Sequence, residues 1–285
     1  MEQSASLTDS PANPQVVYDP AARSPMAAAV DDIMSGVRNW YIWMTMGWLD
    51  IKLRYRGSVL GPFWITISMS VTIAAMGFLY GTLFRIELHD YLPFLTLGFL
   101  AWQLISALII EGCTTFVSVD RFIKQVHFPY SVYVYRLVWR NLIIFLHNLV
   151  VYVGVALVFR ITPTPATLLI IPGLILIALN GAWVAMLLGM ICARFLDMPQ
   201  VFASLVQLSF FVTPVIWKPG LLRGRAYYFV DANPFHHFVE LVRSPLYGQA
   251  PSALTWAVVV GMSVGGWLMT LLIFRRYRTR IAFWV

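Results

Sequence analysis

The chain has 285 residues, of which 59% are apolar and only 12% are charged. An ordinary soluble domain has about 45–50% apolar and about 25% charged residues, so this composition excludes a soluble enzyme, a disordered chain and a secreted disulfide scaffold and leaves an integral membrane protein. The net charge of +7 comes from basic residues that flank apolar runs, which is a topology signal and not a sign of nucleic-acid binding.

The first predicted elements are a tail and an interface helix. Residues 1–36 are rich in Ser, Ala and Pro and contain no long apolar run, which predicts a flexible cytoplasmic tail. Residues 37–57 place Trp and other apolar side chains on one helical face and most of the basic side chains opposite. That pattern predicts an amphipathic helix in the membrane interface. It serves either as a simple anchor or also as a contact for a cytoplasmic partner.

Six later segments are apolar and about as long as the 20 residues that a bilayer core requires. Backbone groups in lipid must be satisfied within their own segment, so each segment is predicted as a helix. The predicted fold is therefore an all-α integral membrane protein, with a six-span domain over residues 58–285. The predicted spans are residues 62–84, 91–113, 137–159, 166–193, 198–217 and 251–274.

Basic residues near the span ends indicate the orientation. Ten lie on the side that carries both termini and six on the other, with an arginine cluster at 275–280 as the strongest contribution. Because cytoplasmic loops carry the excess of Lys and Arg, both termini are predicted to be cytoplasmic. Arg136 and Arg140 lie one turn apart near the cytoplasmic end of the third span, and they are interpreted as snorkelling side chains.

The cytoplasmic connection between the second and third spans contains a candidate short helix. Ser118 or Asp120 can cap it, and Pro129 disfavours helix at the residue before it. A short charged helix between two spans is suited to docking a partner. An ordinary capped loop is the alternative that the spacing leaves open.

The external loop before the last span, residues 218–250, is long for a compact connection. Asn233 can cap a helix, Pro234 fits the first helical turn, and Phe235 and Phe238 begin an apolar stripe. We predict a re-entrant or surface helix, which either gates an exit or only plugs the bundle. The candidate gate residues are Asn233, Pro234, Phe235 and Phe238.

The motifs that membrane enzymes and ion-coupled carriers need are missing. A P-loop requires Gly-Lys before Ser or Thr, and none of the three lysines follows glycine: Lys52, Lys124 and Lys218. No H-E-x-x-H occurs, and the pair His236 and His237 has no further ligand beside Glu240. Cys113 and Cys192 are too few for a disulfide or metal framework. We therefore predict no catalytic residue, metal site or cofactor in this chain.

Several segments together resemble a known family. In chain order they are IKLRYRGSVLGPFW, FIKQVHFP, ARFLDMPQ, FFVTPVIW, NPFHHFVELVRSPL and FRRYRTRIAFWV. They resemble the permease subunit of ABC-2-type polysaccharide exporters, most closely the O-antigen exporter permease, over about residues 37–285. Teichoic-acid and capsule exporter permeases are relatives, of which the capsule type looks more distant.

The resemblance implies a homodimer in the bacterial cytoplasmic membrane that is joined to two copies of a separate ATPase. That partner would bind ATP and Mg²⁺, and this chain would bind neither. The implied substrate is a polyprenyl-diphosphate-linked polysaccharide such as O-antigen. The permease would also contact membrane lipids. The missing P-loop agrees with this division of labour, because a multi-span protein without an ATP site or ion relay must conduct passively or take energy from a partner.

The resemblance also implies roles for individual residues. A coupling helix around residues 120–127 would contact the ATPase through Asp120, Arg121, Phe122, Ile123 and Lys124. Arg54 and Arg56 would contact the diphosphate or the partner. Spans one and five border the route in that family, so the candidate channel-lining residues are Trp64, Phe78, Phe210, Phe211 and Trp217.

Two other functions remain open at this point. One is a permease of the same superfamily that exports a small lipid or a drug. The other is a membrane-embedded acyl- or glycosyltransferase, which would turn over its donor substrate without an ATPase.

Overall fold

The computed structural model describes residues 24–57, 61, 63–125, 128–221 and 228–285, and α-helices make up most of them. No strand forms among these residues, in agreement with the predicted all-α class. Short 3₁₀ turns link several of the helices. The helices are α1 (Pro25–Arg38), α2 (Trp40–Arg54), α3 (Phe63–Phe84), α4 (Leu88–Cys113), α5 (Asp120–Gln125), α6 (Tyr130–Val158), α7 (Ile170–Arg194), α8 (Met198–Val212), α9 (Tyr228–Asp231), α10 (Pro234–Leu246), α11 (Ala253–Tyr277) and α12 (Ile281–Trp284).

Five helices in the described part of the chain are long and apolar enough to cross a membrane. They are α3, α4, α6, α7 with the 3₁₀ turn before it, and α11 with its extension through α12. Each overlaps one of the predicted spans. A multi-pass membrane protein follows from this set of helices.

The fifth predicted span, residues 198–217, is a shorter helix than expected. Helix α8 has 15 residues, which at 1.5 Å per residue is about 22 Å against a hydrocarbon core of about 30 Å. It ends at Val212 because Pro214 pushes the preceding residue out of the helical region, and Thr213 accordingly has an extended backbone with ψ 136°. Helix length therefore supports five membrane spans among the described residues. The length of α8 does not establish a sixth span.

Helix α4 forms the centre of the bundle and packs against α3, α6, α7, α8 and α10. Its buried side chains include Leu95, Leu97 and Leu100, none of which is more than 1% exposed. Gly112 brings α4 close to α7, since a Cβ atom there would lie 3.0 Å from the Cα of Ala185. Small residues thus allow close backbone approach at this helix pair, as is usual in membranes.

The predicted flexible tail is wrong for residues 25–36, which belong to α1, whereas residues 1–23 lie outside the described part. Ser24 begins this helix by accepting a hydrogen bond from the Ala27 N–H at 3.2 Å, and Pro25 occupies the first turn, where its missing N–H costs nothing. Asp32 is buried against α6, where its carboxylate accepts from the backbone N–H of Ser131 at 3.0 Å. A buried acceptor therefore anchors α1 to the bundle.

Candidate functional site

The residues predicted for a coupling helix form α5, which is six residues long. Ile123 is buried in the core and α5 packs against α12. Phe122 is 50% exposed, and Arg121 and Lys124 are also exposed. Ile123 thus anchors α5 in the core. The aromatic ring of Phe122 and the two cationic side chains of α5 remain exposed. The part of the prediction that fell on residues 126 and 127 lies outside the described residues.

Helix α2 lies along α6 and turns one acidic side chain inward. Trp43 contacts the rings of Tyr135 and Trp139, with centroids 6.1 and 6.0 Å away. Gly47 is buried against Trp139. On the same side, Asp50 points its carboxylate toward the arginines of α6. The predicted interface helix is therefore docked on the bundle, and the break between α1 and α2 at residue 39 divides it.

A cluster of charged side chains joins α2, α4 and α6. It lies at the end of the bundle where α4 ends and α6 begins, which we call the α5 end. Arg136 donates to both carboxylate oxygens of Asp50, with its Nε at 2.7 Å. Arg140 donates to Asp50 at 3.1 Å and to Glu111 at 2.6 Å. Asn141 donates to the same Glu111 carboxylate at 2.7 Å. Charge-assisted bonds of this kind are about twice as strong as neutral ones.

The interpretation of Arg136 and Arg140 as snorkelling side chains is wrong. Each side chain is only 18% exposed and bonds to carboxylates inside the bundle. Charges near membrane depth pair with one another when a partner is within reach. The sequence contains a signal for this arrangement, since Asp50 and Glu111 are isolated acidic residues at the ends of otherwise apolar segments.

The two arginines predicted for diphosphate or partner contact lie at the edge of this cluster. The Nη2 atom of Arg54 is 3.5 Å from Oε1 of Glu111, a long and partly exposed ion pair. Arg56 follows α2 and is exposed. An exposed ion pair contributes about 0–1 kcal/mol, so Arg54 remains free to exchange Glu111 for another anion.

The candidate channel-lining residues divide into two groups. Trp64, Phe78 and Phe211 are 58%, 69% and 64% exposed, and they stand on outward faces of α3 and α8, both of which pack on α4. Phe210 instead turns inward. Trp217 is half-buried, and its indole N–H donates to the Phe211 carbonyl oxygen at 3.1 Å. Trp64, Phe78 and Phe211 thus form an exposed aromatic surface. Phe210 and Trp217 support this surface from less exposed positions.

Phe210 packs against α4 because the helix rotates it toward the core. Its ring lies 5.8 Å from that of Phe99 and 5.6 Å from that of Trp102. Consecutive residues on a helix point about 100° apart, so Phe210 and Phe211 cannot share one face. An aromatic pair in the sequence therefore supplies one packing ring and one exposed ring.

The residues of the predicted external helix form α10, which has Asn233 as its cap and Pro234 in its first turn. Asn233 accepts from the N–H of Phe235 at 3.0 Å and donates to the hydroxyl of Thr213 at 3.0 Å. Phe238 is buried, and the ring of Phe235 lies 5.6 Å from that of Trp102. Pro234 is exposed at the first turn. The α10 helix thus packs into the bundle and caps its end away from α5.

A buried ion pair within α10 was not anticipated from the sequence. Arg243 donates to Glu240 at 3.0 Å and to the carbonyl oxygen of Pro214 at 2.9 Å. Its guanidinium carbon also lies 3.8 Å from the centre of the Phe94 ring, which is a cation–π contact. Ser244 donates to the second Glu240 oxygen at 2.6 Å. These contacts tie α10 to α4 and to the residues that follow α8.

Of the two adjacent histidines of α10, His237 makes hydrogen bonds through both ring nitrogens, whereas the buried Nδ1 of His236 has no hydrogen-bond partner among the described residues. The ring of His237 is 3.1 Å from the Thr255 hydroxyl and 2.8 Å from the Asp231 carbonyl oxygen. Burial lowers the pKa of His236, despite the opposing effect of Glu240. Within residues 24–57, 61, 63–125, 128–221 and 228–285, no three His, Cys, Asp or Glu side chains are placed to hold a metal ion.

Comparison with known proteins supplies the family. Residues 41–247 match the family model described as ABC-2 type transporter. The chain is 24% identical over 189 residues (65% of this chain, 72% of the relative) to an O-antigen export system permease protein RfbA of Klebsiella pneumoniae. A second RfbA of that organism is 21% identical over 240 residues (82% and 90%), and one of Myxococcus xanthus is 26% identical over 178 residues (62% and 68%). The match covers well over half of the chain and includes the charged cluster, α3, α8 and all of α10. The protein therefore belongs to the ABC-2 type transporter family, as a multi-pass membrane permease.

Proposed function

We propose that this permease exports a lipid-linked polysaccharide such as O-antigen, carried on a polyprenyl diphosphate, across the bacterial cytoplasmic membrane. The observation that carries the proposal is the family match over residues 41–247, together with three relatives that are named O-antigen export permeases. The exposed aromatic surface on α3 and α8 supports it, since flat apolar rings stack on sugar faces without fixing a register.

A separate ATPase supplies the energy in this proposal and binds the ATP and Mg²⁺. The α5 end of the bundle faces the cytoplasm with both termini, and α5 docks into the ATPase through Arg121, Phe122 and Lys124. Their exposure beside the buried Ile123 supports this role. Asp120 begins the helix, and Arg54 and Arg56 lie nearby at the end of α2.

The working unit in this proposal is a homodimer in which each copy crosses the membrane six times. Helix α8 with residues 213–217 makes the sixth crossing. Helix α3 has only 17% of its most apolar stretch buried within the chain, so most of its surface is left for a second copy, for lipid or for substrate. Trp64, Phe78 and Phe211 line the passage, while α10 closes its external side.

Removal of the permease tests the export function. Deleting its gene is expected to trap lipid-linked glycan on the cytoplasmic side and to abolish surface polymer, which immunoblotting of surface glycan and extraction of the lipid-linked pool measure. Restoring the wild-type gene is the control. Unchanged surface polymer in the deletion strain would reject the proposal and favour a small-lipid or drug exporter. Turnover of a glycosyl or acyl donor by the purified chain would favour a transferase.

A charge reversal tests the docking role of α5. Arg121→Glu combined with Lys124→Glu is expected to weaken capture of the ATPase by about tenfold or more, because two attractive contacts become repulsive. Quantitative copurification from membranes measures the effect. The matched control is Arg85→Glu with Arg160→Glu, which changes the net charge equally at exposed positions beyond the far ends of α3 and α6. Equal capture by the two double variants would remove α5 from the docking surface.

A further inference from the structure

A small cavity lies beside the charged cluster, between the end of α4 and the start of α6. Its volume is about 240 Å³, and it is lined by Thr115 and Ser118 on one side and by Tyr133, Arg136 and Arg140 on the other. A water molecule takes about 30 Å³ in the liquid, so the space holds either several waters or one small polar group. The chemistry of the lining decides which groups fit.

Three buried polar atoms on this lining have no hydrogen-bond partner within the part of the chain that the structure describes. They are the hydroxyl of Tyr133, the Nη1 of Arg136 and the Nε of Arg140. Tyr133 is only 2% exposed, so solvent does not satisfy it from outside. Leaving such a group unpaired costs about 1–3 kcal/mol, and more for a charged one. Three unsatisfied atoms around one cavity therefore require a hydrogen-bond acceptor there, which is either water or a polar ligand.

The remaining donors and acceptors of the cavity are already used. The hydroxyls of Thr114 and Thr115 donate to the Glu111 carbonyl oxygen at 3.1 and 3.4 Å, and that of Ser118 donates to Thr115 at 3.4 Å. The Glu111 carboxylate is occupied by Arg140 and its neighbours. The free capacity of the site therefore consists mainly of N–H and O–H donors, two of them on guanidinium groups.

The charge balance of the adjoining cluster has the same sign, although of its three arginines only Arg136 and Arg140 line this cavity and Arg54 lines a neighbouring one. Three arginines, Arg54, Arg136 and Arg140, face two carboxylates, Asp50 and Glu111. One positive charge in this cluster is therefore not neutralised by the ion pairs. An anion with several acceptor oxygens would pair with it and would accept from all three free donors.

We propose that this cavity binds a phosphate group. Guanidinium groups recognise phosphate through parallel N–H donors, and the Tyr133 hydroxyl adds a third donor from the same helix. Two sources carry this chemistry: the diphosphate of a lipid-linked glycan, whose assignment here rests on the proposed export function, and free inorganic phosphate or pyrophosphate.

Removal of a single oxygen atom tests the site. The full-length purified permease is titrated with inorganic pyrophosphate, and Tyr133→Phe is expected to weaken binding roughly ten- to a hundredfold, the effect of a hydrogen bond to a charged group. Tyr135→Phe is the matched control, because it removes a hydroxyl from the same helix that bonds to the Ile33 carbonyl oxygen outside this cavity. Equal affinity of Tyr133→Phe and wild type, or no saturable binding by wild type, would overturn the proposal.

A second titration separates the two sources. Polyprenyl diphosphate in mixed micelles is compared with pyrophosphate and with the polyprenol that lacks phosphate. Binding of the diphosphate lipid at least tenfold tighter than pyrophosphate, with loss in Tyr133→Phe, supports the lipid headgroup. Equal affinities that are both lost in Tyr133→Phe support a free anion. If surface polymer survives gene deletion while Tyr133→Phe still weakens binding, the export function is rejected and the phosphate site is kept. If surface polymer is lost on deletion while Tyr133→Phe leaves binding unchanged, only the phosphate site is rejected.

Discussion

Asp50→Ala is expected to destabilise the permease by about 3–5 kcal/mol, the effect of removing one partner from a buried ion pair. The Asp50 carboxylate accepts from Arg136 and from Arg140, and both arginine side chains are largely buried. Without it, Arg136 loses its carboxylate partner and α2 loses its polar attachment to α6. Chemical denaturation in mixed micelles, extrapolated to zero denaturant, measures the change in unfolding free energy.

The control for this prediction removes a carboxylate from an exposed position. Asp197→Asn changes the net charge by the same amount, and its side chain makes no capping hydrogen bond to α8. It is expected to change stability by less than about 0.5 kcal/mol. Asp50→Asn is expected to fall between the two, because the amide keeps an acceptor but not the charge. A loss below about 1 kcal/mol in Asp50→Ala would show that the arginines do not depend on this carboxylate.

Arg243→Leu is the second large change and acts at the other end of the bundle. It removes the ion pair with Glu240, the hydrogen bond to the Pro214 carbonyl and the contact with Phe94. Glu240 is then left partly buried without its cation, so a loss of about 3–5 kcal/mol is expected. The same denaturation experiment measures it, with Arg160→Leu as the exposed arginine control.

A double variant and a pH series test the origin of this effect. Adding Glu240→Gln to Arg243→Leu is expected to recover part of the stability, since the unpaired carboxylate is removed; an additive further loss would contradict an ion pair. Burial alone raises the pKa of Glu240, but Arg243 and the Ser244 hydroxyl hold it below its usual value. The stabilisation is therefore complete above about pH 4.3, the unfolded value, and is lost as pH falls through the folded pKa.

Much of the helical framework was predictable because its signals are local. Hydropathy over about 20 residues marks a span, and α3, α4, α6 and α11 overlap their predicted segments. The start of α10 was equally predictable from the sequence, because an Asn-Pro pair before an apolar stripe has a defined capping geometry. The missing P-loop was also readable, because that motif is contiguous in sequence.

One local interpretation failed, and one pair of like residues took different settings, because a neighbouring helix decided the outcome. Residues 25–36 have the composition of a tail, yet α1 forms where Asp32 meets the N-terminus of α6, almost 100 residues further along the chain. Phe210 and Phe211 are indistinguishable in sequence, but Phe210 packs against Phe99 and Trp102 of α4 whereas Phe211 is 64% exposed. Amino-acid type set the preference for an apolar setting, and packing selected whether each ring lies against the core or on the surface.

The amino-acid sequence by itself determined that this is an all-helical membrane protein without its own P-loop, because composition, length and contiguous motifs act over a few turns of chain. Only the tertiary structure decided which charges meet. It brings Asp50 of α2, Glu111 of α4 and the arginines of α6 together across as many as 90 residues, and it leaves a donor-rich cavity beside them. The reason is that a buried charge is stable only beside its partner, and which partner lies within reach depends on how the helices pack.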